Sequence, residues 1–347
     1  MKYPRSLKSP IVMAAVIGLP IALAAGALAR PDKHSKNLSG PVIERVVAAD
    51  PSVSVSACLV SGDIKVHGWD RNEVRARSNG AAAIEFRRPS ADRESDPAKE
   101  ITVLIADTRP HRSDVCSLNG DLELEVPRGA TVRLQTRDGD IQVFDVSIVS
   151  AATLGGDLSL EGVKRSIEAR TIGGDISLRN SNGSTKLHSI GGSIEARGVA
   201  PANAGDSFEA STVGGDITLE KTGFTELKAK TISGMVSSSG SLAAGGRYDF
   251  KTISGDINLA LPADSSFRLE AKLSRGAELV TEFPLRISTE PSVTSSQPSR
   301  QSGPATSPQA AARGSEYGSH SISGVYRTGD ALITASSFSG TVNLRKK

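Results

Sequence analysis

The chain of 347 residues is long enough for one large domain or two ordinary ones. Only 4% of its residues are aromatic and 34 are glycine, which argues against base-stacking platforms for nucleic acid and favours a core of small aliphatic side chains. The first 29 residues hold three of the 41 Lys and Arg and none of the 38 Asp and Glu. The remainder is therefore formally neutral, and net charge does not draw it to nucleic acid or to an anionic membrane.

The amino terminus has the pattern of an export signal. Lys2, Arg5 and Lys8 precede an apolar run over residues 11–29, and Ala27-Leu28-Ala29 fits a cleavage site before Arg30. The run exceeds the usual signal length, so an uncleaved membrane anchor over 11–29 is the alternative. Either way we expect residues 1–29 to direct the chain to the periplasm or cell surface. Residues 30–50 are expected to form a loosely held leader, and residues 51–347 to form the folded domain.

Two copies of a Gly-Asp motif follow, separated by longer strands. The first runs from Val55 to Val66 and contains Gly62-Asp63; the second runs from Val115 to Leu124 and contains Gly120-Asp121. Between them, residues 74–76, 83–86 and 101–105 read as strands of a more spread-out region.

A compact repeat then occupies the middle of the chain. A Thr or Ser recurs at steps of 17 to 23 residues, at Thr136, Thr153, Thr171, Ser189, Thr212, Thr231 and Thr252. Apolar residues alternate with polar ones on both sides of this residue, which indicates two short strands in each unit. Such a unit cannot bury its apolar face unless it stacks on its neighbours. The sequence thus predicts an all-β fold, a single-stranded, right-handed parallel β-solenoid with two short strands per coil of about 18–23 residues.

Glycine and aspartate stand at the corner between the two strands of each unit. We predict structural corners at Gly139, Asp140, Gly156, Asp157, Gly174, Asp175, Gly215, Asp216, Gly255 and Asp256. Glycine would supply a positive φ, and Asp would accept nearby backbone N–H groups in an Asx turn. Weak calcium binding by the stacked aspartates is the alternative, although Ser193 and Met235 interrupt the series. A phosphate loop is disfavoured because no Gly-Lys-Ser/Thr follows.

The final part of the chain changes composition. Residues 286–318 are rich in Ser, Pro, Gln and Thr and are expected to be a disordered insertion in the domain. Alternation returns at residues 324–327 and 331–335, and Ser339-Gly340-Thr341 closes the chain with a last copy of the corner motif.

These corners resemble a known family. The pattern [ST]-[IV]-[SG]-G-D-[ILV]-x-L, after an opening stretch from Ser61 to Asp70, is similar to the bacterial putative-adhesin domain family, cell-envelope β-solenoids of unassigned function. The resemblance covers roughly residues 50–347 apart from the Ser/Pro insertion. It implies an extracytoplasmic solenoid and supplies no catalytic residues.

The residues themselves offer no catalytic constellation. The five histidines lie far apart without metal-ligand spacing, and no nucleophile elbow or zinc-protease motif occurs. Outward charges such as Glu168 and Lys186 read as cross-strand pairs. We therefore expect a non-enzymatic, adhesin-like or scaffold surface without cofactor or metal, whose partner is an envelope protein or a surface polysaccharide. The alternatives are an envelope-stress regulator that binds another envelope protein and a carbohydrate-active β-helix enzyme.

The two cysteines occupy matched repeat positions. Cys58 lies five residues before Asp63, and Cys116 lies five before Asp121. Equivalent residues on paired strands lie about 5 Å apart, and an exported chain meets an oxidising compartment. We predict a Cys58–Cys116 disulfide between the first two coils, which the chain-entropy model values at about 4 kcal/mol.

Overall fold

Alternating apolar and polar residues produce strands throughout the computed structural model, which describes residues 42–79, 83–89, 95–106, 116–274, 276–288 and 320–347. The amino-terminal strands are β1 (Val42–Ser61), β2 (Ile64–Trp69), β3 (Glu73–Asn79), β4 (Ala83–Arg87), β5 (Ala98–Ala106), β6 (Ser117–Asn119) and β7 (Asp121–Pro127). The carboxy-terminal strands are β22 (Phe267–Leu273), β23 (Ala277–Thr281), β24 (Arg286–Ser288), β25 (His320–Tyr326) and β26 (Ala331–Lys346).

Between them lie the short strands of the compact repeat. They are β8 (Thr131–Asp138), β9 (Ile141–Phe144), β10 (Ile148–Ala152), β11 (Leu158–Glu161), β12 (Ser166–Arg170), β13 (Ile176–Arg179), β14 (Ser184–His188), β15 (Ile194–Arg197), β16 (Ser207–Ser211), β17 (Ile217–Glu220), β18 (Glu226–Lys230), β19 (Val236–Ser239), β20 (Arg247–Ser254) and β21 (Ile257–Leu261). Across the described ranges, no helix is both long enough and apolar enough to span a bilayer.

The short strands form two parallel sheets. Strands that precede a Gly-Asp corner, from β8 through β10 to β20 in even steps, pair with one another in a front sheet. Strands that follow the corner, from β9 to β21 in odd steps, pair in a back sheet. The register sets equivalent residues side by side, as where Ala169 pairs with Ala151 and with Leu187. The predicted β-solenoid with two short strands in each coil is confirmed.

The core lies between the two sheets. The inward positions read from the alternation are buried, among them Val149, Ile167, Ile176 and Ile217, each at most 1% exposed. Aromatic packing enters where coils are longer, as between Phe208 and Phe224, whose ring centroids are 5.5 Å apart. Small aliphatic columns thus fill a narrow interior, as the composition predicts.

At the amino-terminal end, the order of coils in space differs from their order in the chain. The carboxy-terminal half of β1, from Ser54 to Ser61, pairs with β8, and β2 pairs with β9, on one side of this coil. On the other side the same coil pairs with β5, β6 and β7. The coil read as the first therefore lies second in the stack. Antiparallel strands complete this end, since β3 pairs with both β1 and β7, and β4 pairs with β5.

The expectation of a loosely held leader over residues 30–50 is wrong for its last part. Residues 42–48 pair antiparallel with β3, and Ala49 is buried in the core, because the alternation of β1 already begins there. Residues 1–41, including the signal or anchor over 1–29, lie outside the described residues.

A disulfide links Cys58 and Cys116, whose Cα atoms are 4.7 Å apart. The two residues are neighbours because β1 pairs with β6 in the register Leu59 to Ser117. Cys58 faces outward between buried Ala57 and Leu59, so the bridge lies on the outer surface of the front sheet. The matched repeat positions predicted this pairing.

The carboxy-terminal end repeats the same interleaving. The last strand, β26, pairs with β20 and β21 on one side and with β22 and β23 on the other. The last copy of the corner motif is therefore inserted before the outermost coil. Strands β24 and β25 add antiparallel pairs at this end. The expectation of disorder over 286–318 is wrong for residues 286–288, which form β24; residues 289–319 lie outside the described residues.

Candidate functional site

The corner glycines are required because the next backbone lies too close for a side chain. A Cβ at Gly174 would lie 1.9 Å from the carbonyl oxygen of Gly156 in the preceding coil, and one at Gly156 would lie 1.9 Å from that of Gly139. The predicted reason, a positive φ, applies at Gly255, where φ is 150°, but not at Gly139, Gly156, Gly174 or Gly215. The first glycine of each pair is less constrained, since a Cβ at Gly173 would meet only ordinary contacts from 3.5 Å.

The corner aspartates form a ladder between coils. The carboxylate of Asp157 accepts the backbone N–H of Asp175 at 2.8 Å, and that of Asp175 accepts the N–H of Ser193 at 2.7 Å. Equivalent bonds run from Asp63 N–H to Asp121, Asp140 N–H to Asp63, Asp157 N–H to Asp140, Met235 N–H to Asp216 and Thr341 N–H to Asp256. The predicted local Asx turn is therefore wrong, because the bonded N–H belongs to the next coil.

We call these stacked corner aspartates the Asp column. They are the residues for which calcium binding was the alternative to a structural role. One oxygen of each of these carboxylates is committed to a backbone N–H, and Ser193 and Met235 interrupt the series. Within the described ranges, no group of three or more His, Cys, Asp or Glu is arranged to hold a metal ion. The geometry of this column is that of a backbone connector.

The recurring Thr or Ser connects the same two coils from inside. Thr171 is buried, donates its hydroxyl to the carbonyl of Gly156 at 3.0 Å and accepts the N–H of Gly174 at 3.1 Å. Ser189 and Thr153 make the same pair of bonds in their coils. A buried hydroxyl that donates to a carbonyl of the neighbouring coil in all seven coils explains why this position is Thr or Ser.

Between the buried Thr or Ser and the corner glycine, seven consecutive coils each expose one large apolar side chain, whereas the coil of Thr136 has Arg137 there. These residues are Leu154, Ile172, Ile190, Val213, Ile232, Ile253 and Phe338, and each is between 39% and 52% exposed. We call this set the apolar ridge. Its members stack in register, since the carbonyl of Ile172 accepts the N–H of Gly191 at 2.7 Å and that of Ile190 accepts the N–H of Gly214 at 2.9 Å. At the sheet spacing the ridge is about 29 Å long.

Opposite charges line the two sides of the ridge. On the front-sheet side, the residues just before the buried Thr include Arg170, His188, Lys230 and Lys251, the basic column. On the back-sheet side runs the Asp column, of which Asp157, Asp175 and Asp216 are exposed. Exposed apolar patches of several hundred Å² with a polar rim are typical of interaction sites.

A shallow groove of about 490 Å³ lies on the front sheet next to the basic column. It is lined by Lys230, Lys251, Lys272, Asp249 and Ser336, among others. Lys230 lies 4.0 Å from Asp249, whereas neither Lys251 nor Lys272 has an ion pair with a described residue. The groove is thus cationic and open rather than an enclosed pocket.

The carboxylates near the groove do not resemble a glycosidase pair. Lys228 contacts Glu226 at 2.6 Å, and this hydrogen bond lowers the pKa of Glu226 and raises that of Lys228. Glu226 is therefore ionised at neutral pH, while a general acid needs a raised pKa. Glu168 and Lys186 lie on paired positions as expected, but the ion pair of Glu168 is with Arg170.

Trp69 and His188 both contact neighbouring side chains of the chain itself. Trp69 lies against the guanidinium groups of Arg71 and Arg75, 5.0 and 4.8 Å from the ring, and donates its indole N–H to the carbonyl of Glu73. His188 contacts the hydroxyl of Ser211 at 2.8 Å on the outer face. The apolar ridge is the feature that sequence reasoning missed, although six of its seven residues are aliphatic and stand at the same place in the corner motif.

The family model Toastrack DUF4097 matches residues 94–345, more than half of the chain. The chain belongs to this toastrack family. A comparison with curated proteins gives no match.

Three solved structures are similar to this toastrack chain at low identity. A putative adhesin from Parabacteroides merdae ATCC 43184 is 8% identical, covers 65% of this chain and 90% of its own, and has a TM-score of 0.42. A putative adhesin from Parabacteroides distasonis ATCC 8503 is 9% identical, covers 65% and 91%, and scores 0.29. A putative cell adhesion protein from Clostridium sporogenes ATCC 15579 is 8% identical, covers 88% and 100%, and scores 0.25. None of these descriptions names a catalytic activity.

Proposed function

We propose that this toastrack protein is a non-enzymatic scaffold of the cell envelope that binds another protein along the apolar ridge. The observation that carries the proposal is the ridge itself, seven large apolar side chains exposed on consecutive coils. Single exposed apolar residues are ordinary on a protein surface, but a contiguous row of them is not. Such a row is unfavourable in water unless a partner covers it.

The scaffold fits an adhesin-like role better than an enzyme. The outer faces of both sheets carry mixed charges, and many of these are engaged with each other, such as Arg197 with Glu195 and Glu220. The carbohydrate-active alternative needs two carboxylates of unequal pKa that face a substrate groove, and Glu226 has a lowered pKa. Export by residues 1–29 would bring the ridge to the periplasm or cell surface, where a partner resides.

The envelope-stress alternative uses the same surface and differs only in the partner. A regulatory role would require the ridge to bind a membrane-bound signalling protein, whereas adhesion or scaffolding would require a structural partner. The identity of the captured protein separates the two.

Photo-crosslinking tests the proposed surface. A benzophenone amino acid is placed at Ile190 on the ridge or, as a control, at Ser177 on the outer face of the back sheet, in the full chain produced in cells. We expect protein adducts of any mass from position 190 and few from position 177. Equal adducts from both positions, or none from either, would overturn the ridge as the binding surface.

A surface polysaccharide is the second candidate partner, favoured by the cationic groove. Lys251 and Lys272 lie on either side of Ser336 in the groove and would attract an acidic polymer. An acidic polysaccharide such as polygalacturonate should bind in a salt-dependent manner, and Lys251→Gln with Lys272→Gln should abolish that binding. Lys65→Gln, on the opposite sheet, is the matched control. Unchanged binding by the double variant would exclude the groove.

A further inference from the structure

We propose that the partner on the apolar ridge is a second copy of this chain, docked in parallel with the two solenoids in register. The inference rests on the proposed function, because it names the occupant of the same surface. It follows from the charges on the two sides of the ridge, from the exposed area of the ridge, and from the polar composition of the segments that could otherwise cover it.

The charge pattern selects one of two symmetric arrangements. Where a coil carries such a residue, the basic column lies on the front-sheet side of the ridge and the Asp column on the back-sheet side. If a two-fold axis runs along the ridge, the basic column of one copy faces the Asp column of the other. If the axis crosses the ridge, basic faces basic and Asp faces Asp, which is repulsive.

The parallel arrangement also matches the charges in the two coils of the ridge that carry both a basic residue and an aspartate. Arg170 and Asp175 belong to the same coil, so Arg170 of one copy meets Asp175 of the second copy at the same height. Lys251 and Asp256 do the same four coils further along. Each ridge residue then meets its own equivalent, Ile172 against Ile172 and Ile190 against Ile190, which forms a continuous aliphatic contact.

The area is that of a stable dimer. Side chains of this size at 39–52% exposure present on the order of 500 Å² per copy, and the charged columns bring the covered area toward the ~800 Å² per partner of a standard interface. An apolar centre between charged rims is the usual anatomy of such interfaces.

The other occupants fit less well. Residues 30–41 and 289–319, long segments outside the described ranges, are polar and rich in Ser, Pro and Lys or Gln, so they do not match an aliphatic ridge. An anionic lipid surface would be repelled by the exposed Asp column. A second copy carries both the apolar surface and the complementary charges.

Cysteine crosslinking of the full chain tests the arrangement. Because Cys58 and Cys116 are joined to each other, a cysteine introduced on the ridge is the only free thiol among the described residues. Ile172→Cys and Ile253→Cys lie toward opposite ends of the ridge, and Ser177→Cys on the back sheet is the control. The envelope fraction of producing cells is oxidised, and dimers are read on a non-reducing gel.

Each outcome decides the proposal. Parallel packing predicts strong self-crosslinking at both Ile172→Cys and Ile253→Cys, at least tenfold above Ser177→Cys, and an Ile190→Lys substitution should abolish it. Antiparallel packing would instead give crosslinks only when the two variants are co-produced with each other, which would overturn the proposed axis. No dimer at either position overturns the second copy as partner. In that case, photo-adducts of another mass at position 190 would leave the proposed function standing, and their absence would remove both.

Discussion

The two corners of each coil look alike in the sequence but are built on different physical constraints. At the Gly-Asp corner, glycine is needed because the preceding coil's carbonyl lies about 2 Å from any added Cβ, as at Gly174. At the second corner, between a back strand and the next front strand, the backbone itself turns left-handed, with φ of 47° at Asn180, 64° at Gly198 and 53° at Lys221. The first constraint acts between coils. The second acts within one coil at Asn180 and Lys221, whereas at Gly162 a close atom of the preceding coil, Asp145 Oδ1, adds to it.

The two corners therefore differ in the substitutions they tolerate. A contact between coils cannot relax without moving a neighbour, whereas a left-handed residue only raises the local conformational energy. The second corner accordingly accepts Asp, Asn, Gly and even Lys in this chain. The second glycine of the Gly-Asp corner is kept in the described coils except the outermost one, where Ala277 pairs with Gly340.

The largest expected effect separates two adjacent glycines. Gly174→Ala forces a methyl into the Gly156 carbonyl and should destabilise the fold by about 3 kcal/mol or more. Gly173→Ala meets only ordinary contacts and should stay within about 0.5 kcal/mol. Urea midpoints at constant slope measure both. Similar losses for the two variants would show that the approach of the Gly156 carbonyl is not what limits this corner.

The sequence predicted the middle of the molecule better than its ends. From Thr131 to Leu261 the alternation indicated which residues face inward, because each coil pairs with the next copy in the chain. At the ends it could not predict that β1 and β26 are inserted between other coils, since a strand's own pattern does not specify which neighbour it pairs with. Six of the seven ridge residues were visible as an aliphatic residue at one place in the motif, but the exposure of the ridge depends on the corner geometry.

The Asp column gives the next largest effect. Asp175→Ala removes the acceptor of the Ser193 N–H and should cost about 1–2 kcal/mol, the lower part of the range for an unsatisfied group because the corner is exposed. Asp175→Asn keeps an acceptor oxygen and should recover most of that loss. If instead Asn is as harmful as Ala and calcium raises the melting temperature of the native chain, the column binds a cation.

At the second corner the expected loss is smaller. Gly198→Ala places a Cβ on a residue with φ of 64°, 3.1 Å from Oδ1 of Asn180, and should cost about 1 kcal/mol, mainly because L residues disfavour this region. Gly223→Ala is the control, since no positive φ applies there and the nearest atom to its Cβ is 4.0 Å away. Chemical denaturation of both variants should show a difference in the free energy of unfolding; its absence would mean that the second corner is not limited by φ.

The smallest effect should have the opposite sign. Lys221 has a φ of 53°, a region that a long side chain adopts only at a cost, and its N–H is bonded to the carbonyl of Ser239 in the next coil. Asn tolerates this conformation, as Asn180 does at the equivalent corner, so Lys221→Asn should stabilise the fold by about 0.5 kcal/mol. Hydrogen exchange at the amide of residue 221 reads the effect locally, and it should slow roughly twofold. Lys186→Asn, on the front sheet, should bring no such gain, because Asn is disfavoured in strands. A loss of stability at 221 would mean that the Lys side chain makes a contact worth more than the strain it carries, and the second corner would then depend on side chains as the first one does.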